Sequence, residues 1–238
     1  MCSLKRRGNI FILTLTGPDE HRFNPQLLDA IRSSLRRVRS EVESAAAAGN
    51  SSSFALITTA EGKFFSNGYD IDWAKTSMDQ MILMDNKLKS VASELITLPM
   101  PTIAAVSGHA SAAGFILAMI HDYILMRRDR GFLYMSELDI RQVIPPWFAV
   151  LIKRRIGSAV ARREVVLKAP KLTADKALEM GIIDSAHDGA EETLAAAVRL
   201  AEDLVARKWD GQTYAGNRME LLSEVLNVIG ARCSVAKL

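Results

Sequence analysis

Two runs of this chain, Phe54-Ala55-Leu56-Ile57-Thr58-Thr59 and Thr102-Ile103-Ala104-Ala105-Val106, are apolar without the alternation of a half-exposed strand. Strands of that kind are buried on both faces, so they need helices around them. Ile10-Phe11-Ile12-Leu13-Thr14-Leu15 is a further β-rich run, stopped by Gly17-Pro18, and Tyr123-Ile124-Leu125-Met126 reads as another, with a polar turn at 127–130. Between them the spacing is helical. Asn24-Pro25 marks a helix start, asparagine as cap and proline in the first turn. Leu27, Leu28, Ile31, Leu35 and Val38 then recur at helical intervals through about Ala48, before a loop at 49–53. Residues 78–98 form a long helical segment and 115–120 a buried one. From Pro145 on the pattern is helical throughout: 147–156, 158–168, 173–180 (capped by Thr173 and closed by Gly181), 190–207 and 214–229. Strands alternating with helices, then a helical C-terminal third, argue for an α/β core with an appended helical region.

The 238 residues suit one large domain, or a domain with a small appendage. A net charge of +3 selects no acidic partner, and Arg32, Arg36, Arg37 and Arg39 read as the wet face of an amphipathic helix, so no nucleic acid is expected. Cys2 and Cys233 lie at opposite ends, which argues against a disulfide framework or structural zinc. The histidines His21, His109, His121 and His187 are scattered and read as solvated or core residues. No apolar run approaches the roughly 20 residues that span a bilayer, and the basic N-terminus lacks the apolar stretch of a secretory signal. Ala236-Lys237-Leu238 is a conservative form of the Ser-Lys-Leu peroxisomal address. It implies a peroxisomal location and an import receptor as partner.

Chemistry enters with two small-residue loops, Ser66-Asn67-Gly68-Tyr69-Asp70 and Ser107-Gly108-His109-Ala110-Ser111-Ala112-Ala113-Gly114, each after a short apolar strand-like run, with Glu137 coming 23 residues after Gly114. Loops of this kind can each aim a backbone N–H at one oxygen, and a carboxylate beside them can remove a proton next to the carbonyl bearing that oxygen. That is enolate chemistry. Either loop alone reads first as a plain turn, and an isolated glutamate reads as a surface residue.

Taken together, Lys63-Phe64-Phe65-Ser66-Asn67-Gly68-Tyr69-Asp70-Ile71, the stretch from Pro101 through Gly114 with Asp122 after it, and the stretch from Thr173 to Asp184 resemble, in order and spacing, three motifs of the crotonase (enoyl-CoA hydratase/isomerase) superfamily. The resemblance runs from about Asn9 to Val205. It implies a spiral of ββα repeats with C-terminal helices that take part in trimer assembly: a core at 1–185 and a helical region with the targeting tail at 186–238. It further implies an acyl-CoA ligand, no metal or redox cofactor, and a homotrimer or dimer of trimers. Carried over, the oxyanion-hole N–H groups are those of Tyr69 and Ala113. Lys63, Ser66, Asn67, Gly68, Asp70 and Gly114 are the substrate- and CoA-binding positions, with Arg22 and Phe23 added by position alone. Ala112-Ala113-Gly114 is less glycine-rich than in many relatives, but the alanine N–H is unaffected.

The carboxylate count selects the reaction. A hydratase of this superfamily uses two glutamates; the first falls on Ile116 here, which can neither take nor give a proton, and the second on Glu137. The segment from Met135 to Trp147 resembles the catalytic stretch of Δ3,Δ2-enoyl-CoA isomerases, with Ile116 and Trp147 expected in the acyl pocket. The expectation is a single-glutamate proton shuttle from C2 to C4 of a 3-enoyl-CoA, serving β-oxidation of unsaturated fatty acids. Val143-Ile144-Pro145-Pro146 stands where a dienoyl-CoA isomerase needs a further carboxylate. Two alternatives remain: a hydratase or other enolate-forming acyl-CoA enzyme, and a non-catalytic acyl-CoA-binding protein. Asp139 is expected to be structural.

Overall fold

The computed structural model describes residues 1–17, 20–48 and 53–230. Pro18, most of the expected loop at 49–53, Cys233 and the Ala236-Lys237-Leu238 tail lie outside the described residues. The chain opens with a hairpin, β1 (Cys2–Arg7) and β2 (Ile10–Leu15), antiparallel with Cys2 opposite Leu15. Helix α1 (Pro25–Ala47) follows, and Asn24 caps it by accepting the Leu27 N–H at 3.0 Å.

Three turns of one kind come next. In each, a strand joins a main sheet, a shorter strand joins a second sheet, and helix returns the chain. The first turn is β3 (Ala55–Ala60), β4 (Phe64–Ser66), α2 (Ile71–Ala74) and α3 (Met78–Ile96). The second is β5 (Thr102–Val106), β6 (His109–Ser111) and α4 (Ala113–Ile120). The third is β7 (Tyr123–Arg127), β8 (Leu133–Tyr134), a single 3-10 turn (Ser136–Leu138) and α5 (Pro146–Arg155). Beyond them lie α6 (Ala159–Arg163), α7 (Ala174–Glu179), β9 (Ser185–His187), α8 (Gly189–Ala206), α9 (Gly211–Leu221) and α10 (Ser223–Val228). The main sheet runs β1-β2-β3-β5-β7-β9, parallel after the first pair, and the second runs β4-β6-β8, all parallel. This is the ββα spiral that the resemblance implies.

The missing alternation in the central strands has a simple cause. Ala55, Ile57, Ile103, Ala105 and Leu125 face α8, whose Ala196, Ala197 and Ala201 are small enough to let the helix lie close. Leu56, Ala104, Val106, Ile124 and Met126 face the other way, into the larger core shared with α1, α3 and α4. Covering a leucine such as Leu56 completely is worth about 1.5–3 kcal/mol, and here both faces of each strand contribute.

Four features differ from the sequence expectations. The C-terminal part is not wholly helical: β9 pairs beside β7, Leu125 opposite Ser185. A three-residue edge strand is too short to show a period. The segment at 214–229 is two helices broken at Leu222. The segment at 158–168 ends in a wider turn over Glu164–Lys168, closed by Ala169 at φ +47°. Arg127 is the buried last residue of β7 rather than part of a polar turn; its guanidinium donates to the Ser107 carbonyl at 3.0 Å and pairs with Asp129.

One buried ion pair ties α9 to the body. The Arg218 guanidinium meets Asp122 at 2.7 Å and also donates to the carbonyls of Ile96, Leu98 and Met100. Asp122 accepts the Thr102 N–H at 2.9 Å, so the pair is fully engaged. Among the described residues no helix is long and apolar enough to cross a membrane.

Candidate active site

The second sheet builds the site, because its three strands end side by side. Phe64 lies opposite His109 and Ser66 opposite Ala110, while Ser111 lies opposite Tyr134. The loop after β4, the loop after β6 and the turn carrying Glu137 after β8 therefore leave the sheet together. The Ala112 N–H donates to the Tyr134 carbonyl at 2.7 Å, fixing the second loop to the strand that leads to Glu137.

Two glycines allow the loops to pass. Gly68 sits at φ +78°, a region that side chains avoid, and a Cβ there would stand 3.0 Å from the Ser111 carbonyl oxygen and 3.3 Å from the Ala113 nitrogen. A Cβ on Gly114 would fall 2.2 Å from the Ser66 oxygen. The first loop is then held by its own side chains. Ser66 donates to the His21 carbonyl at 2.7 Å and accepts the Gly68 N–H at 3.2 Å. Asn67 donates from its backbone to the Glu20 carbonyl and from its side chain to the Glu20 carboxylate at 2.6 Å. Asp70 caps α2 through the Trp73 N–H at 3.0 Å. The side chains of Ser66, Asn67 and Asp70 are thus engaged within the protein.

Around Tyr69 the backbone is pinned on both sides, Phe23 N–H to the Gly68 carbonyl at 2.7 Å and Asp70 N–H to the Phe23 carbonyl at 3.1 Å. Among the described residues neither the Tyr69 N–H nor the Ala113 N–H has an acceptor. Ala113 is the first residue of α4, where helix geometry leaves the N–H free and the helix end carries partial positive charge. Ala112 before it holds the left-handed φ of +48°, a strained conformation that turns the chain into the helix.

Glu137 is buried, 6% exposed, and its Oε2 has no hydrogen-bond partner among the described residues. Burial pushes its carboxyl pKa upward. Its charge also acts on the Tyr69 phenol, which burial, the Asp85 carboxylate and Glu137 push well above its ordinary value. Ile116, one turn into α4, is completely buried, and Trp147 and Phe148 are buried at the start of α5. Lys63 is exposed, its Nζ 5.6 Å from the Phe64 ring centre. Asp139 accepts the Tyr134 hydroxyl, a contact within its own turn.

Three neighbours escape a reading of the sequence. Glu20 and His21 hold the first loop from a segment whose only sequence mark is the helix start after it. Asp85 on α3 accepts the Tyr69 hydroxyl at 2.9 Å and the Trp147 indole N–H at 2.8 Å; in sequence it looks like half of a surface Asp85–Lys89 pair. Two other histidines serve packing. His121 is fully buried between the Leu117 carbonyl and the Thr58 hydroxyl, and burial lowers its pKa to about 4. His109 lies between the rings of Phe64 and Phe132, and burial followed by the Lys63 charge lowers its pKa. A cavity of about 640 Å³ lies elsewhere, beneath α9, lined by Asp122, Arg155, Tyr214, Arg218 and Leu222 among others. The candidate site is marked by two adjacent loops whose N–H groups have no acceptor among the described residues and by a carboxylate oxygen without a partner, not by cavity size. Among the described residues no group of three or more His, Cys, Asp or Glu is arranged to hold a metal ion.

Fold and strand-end geometry place this protein in a known class. The chain belongs to the enoyl-CoA hydratase/isomerase family, which residues 5–218 match. It is 55% identical over 226 residues, 95% of this chain and 91% of the relative, to the Arabidopsis thaliana protein named enoyl-CoA delta isomerase 1, peroxisomal. It is 44% identical, over 96% of this chain and 95% of the relative, to enoyl-CoA delta isomerase 3 of the same plant, whose name carries no location. An enoyl-CoA hydratase/isomerase family protein from Pseudomonas syringae has the same fold, with a TM-score of 0.85 at 20% identity, covering 97% of this chain and 94% of that one.

Proposed function

We propose that this chain is an enoyl-CoA delta isomerase that moves the double bond of a 3-enoyl-CoA to give the 2-trans-enoyl-CoA. The observation that carries the reading is Glu137, buried and with a free oxygen, carried by the strand next to the two loops whose Tyr69 and Ala113 N–H groups have no acceptor among the described residues, with Ile116 where a hydratase has its other acid. The relatives named enoyl-CoA delta isomerase support it.

The thioester oxygen accepts the N–H groups of Tyr69 and Ala113. Glu137 Oε2 takes a proton from C2, the electron pair moves onto the thioester oxygen, and both N–H groups hold the enolate that forms. The same proton returns at C4. A preorganised donor of this kind is typically worth about 3 kcal/mol in the transition state. Desolvation raises the proton affinity of Glu137, and the buried Ile116 leaves no second acid to orient an attacking water. Coenzyme A is part of the substrate. Lys63, Gly68 and Gly114 line the path of the thioester and its carrier, and Ile116 and Trp147 form the acyl wall. The peroxisome is the proposed location, with a homotrimer or dimer of trimers as the assembly.

The test is spectrophotometric turnover of 3-hexenoyl-CoA set against hydration of crotonyl-CoA by the same sample. Isomerisation far in excess of hydration is expected. Dominant hydration would replace this reading with that of a hydratase, and binding of either ester without turnover would replace it with that of an acyl-CoA-binding protein.

A further inference from the structure

Two aromatic side chains from different turns of the spiral share one oxygen atom. The Tyr69 hydroxyl, from the first loop, and the Trp147 indole N–H, from the first turn of α5, both donate to Oδ1 of Asp85, at 2.9 and 2.8 Å. The other carboxylate oxygen, Oδ2, pairs with Lys89 one turn along α3 at 2.7 Å. Phe148 closes the group: Tyr69 stacks on it with ring centres 6.3 Å apart, and Trp147 meets it edge-on at 4.6 Å. Asp85 itself is largely covered, its side chain 19% exposed.

This arrangement has a consequence for the chemistry. The Tyr69 peptide is held by the backbone of Phe23 at its flanks, and its ring is held by Asp85 at the far end. The ring anchor and the flanking backbone bonds hold Tyr69, the residue proposed above to supply an oxyanion-hole N–H, at both ends. The same acceptor sets the indole that walls the acyl chain. We propose that Asp85 is a positioning residue, which fixes the Tyr69 N–H and the Trp147 wall in one frame. The inference rests on the isomerase reading above, in which Tyr69 supplies an oxyanion-hole donor. Small displacements of such a donor reduce turnover more than binding, because it acts most strongly on the enolate.

The experiment compares Asp85→Leu, Asp85→Asn, Tyr69→Phe and Glu137→Gln by kcat and KM on 3-hexenoyl-CoA, by the Kd of unreactive hexanoyl-CoA, and by thermal unfolding. Asp85→Leu removes the shared acceptor, and its kcat is expected to fall roughly 10- to 100-fold, with the hexanoyl-CoA Kd little changed. Asp85→Asn keeps an oxygen that can accept both donors and gives up only the pair with Lys89, so it is expected to restore most of kcat. Tyr69→Phe is expected to lower kcat, and Asp85→Leu to cost less in that background than alone. A folded Asp85→Leu with normal kcat overturns the proposal, as does Asp85→Asn losing as much as Asp85→Leu. Should Asp85→Leu fail to fold, normal kcat in Tyr69→Phe overturns it. Normal kcat in Glu137→Gln would instead overturn the isomerase mechanism itself.

Discussion

A β-carbon on Gly68 would stand 3.3 Å from the amide nitrogen of Ala113, so the two loops touch where their free N–H groups emerge. Gly68 also holds φ +78°. Gly68→Ala therefore meets two penalties, a left-handed backbone and a crowded loop junction. The expected loss of stability is about 1–3 kcal/mol, with a larger proportional loss of kcat because Ala113 must move. Thermal unfolding and turnover of the same preparation check both; unchanged kcat would mean that the junction tolerates separation of the loops.

Arg218 offers a test of how α9 is held. Its guanidinium is buried against Asp122 and three carbonyls from the 96–100 segment. Arg218→Met leaves Asp122 charged and those carbonyls short of a donor, a change that typically costs about 3–5 kcal/mol. The variant is expected to unfold at lower denaturant and to be cleaved by protease near α9 first. Unaltered denaturation curves would show that water replaces the guanidinium without penalty.

Much of the frame is legible before any coordinates. Thr102–Val106 and the Asn24 cap of α1 stand where the sequence puts them, because uninterrupted apolar runs and periodic leucines report burial directly. The second sheet is different. Its strands are two or three residues long, so no period exists to read, and only the ordered motifs hint that the loops after β4 and β6 meet. The burial of Glu137 is likewise invisible, since a lone glutamate in a polar-looking turn resembles any surface residue. Asp85 is hidden for a related reason: an aspartate four residues before a lysine on a helix reads as a solvated pair, and its two further partners lie 16 and 62 residues away.

The tail supplies a prediction independent of the site. A fluorescent reporter carrying Ala236-Lys237-Leu238 at its C-terminus is expected to enter peroxisomes, and the full chain without Leu238 to remain cytosolic. Microscopy against a peroxisomal marker decides it. Undiminished import of the shortened chain would move the address to another part of the protein.

Glu137 couples folding to pH. Its folded-state pKa is raised by burial. A raised carboxyl contributes its stability below the unfolded value, about 4.3, and that stability is lost as pH rises through the folded pKa. Glu137→Gln removes this dependence. The variant is expected to be more stable than the parent near neutral pH, with the difference shrinking toward pH 4, while in the parent kcat rises with pH through the folded pKa as the base ionises. Equal pH dependence of melting in the two proteins would show that Glu137 is solvated.

The sharpest test joins Glu137 with Ile116. Glu137→Gln keeps size and hydrogen bonding but cannot accept the C2 proton, so isomerisation should fall roughly 10²-fold or more, while acyl-CoA affinity stays close to normal because both N–H donors remain. Ile116→Glu restores the carboxylate position of a hydratase one turn into α4, within a fully buried environment. Two acids there raise each other's pKa and each resists ionisation. Isomerisation should therefore drop, and hydration of crotonyl-CoA should rise only slightly, since Trp147 and Phe148 still keep the wall apolar. Efficient hydration by Ile116→Glu would show that the missing carboxylate alone separates the two reactions in this fold. Near-normal isomerisation by a folded, ligand-binding Glu137→Gln would show that the proton is carried by another group.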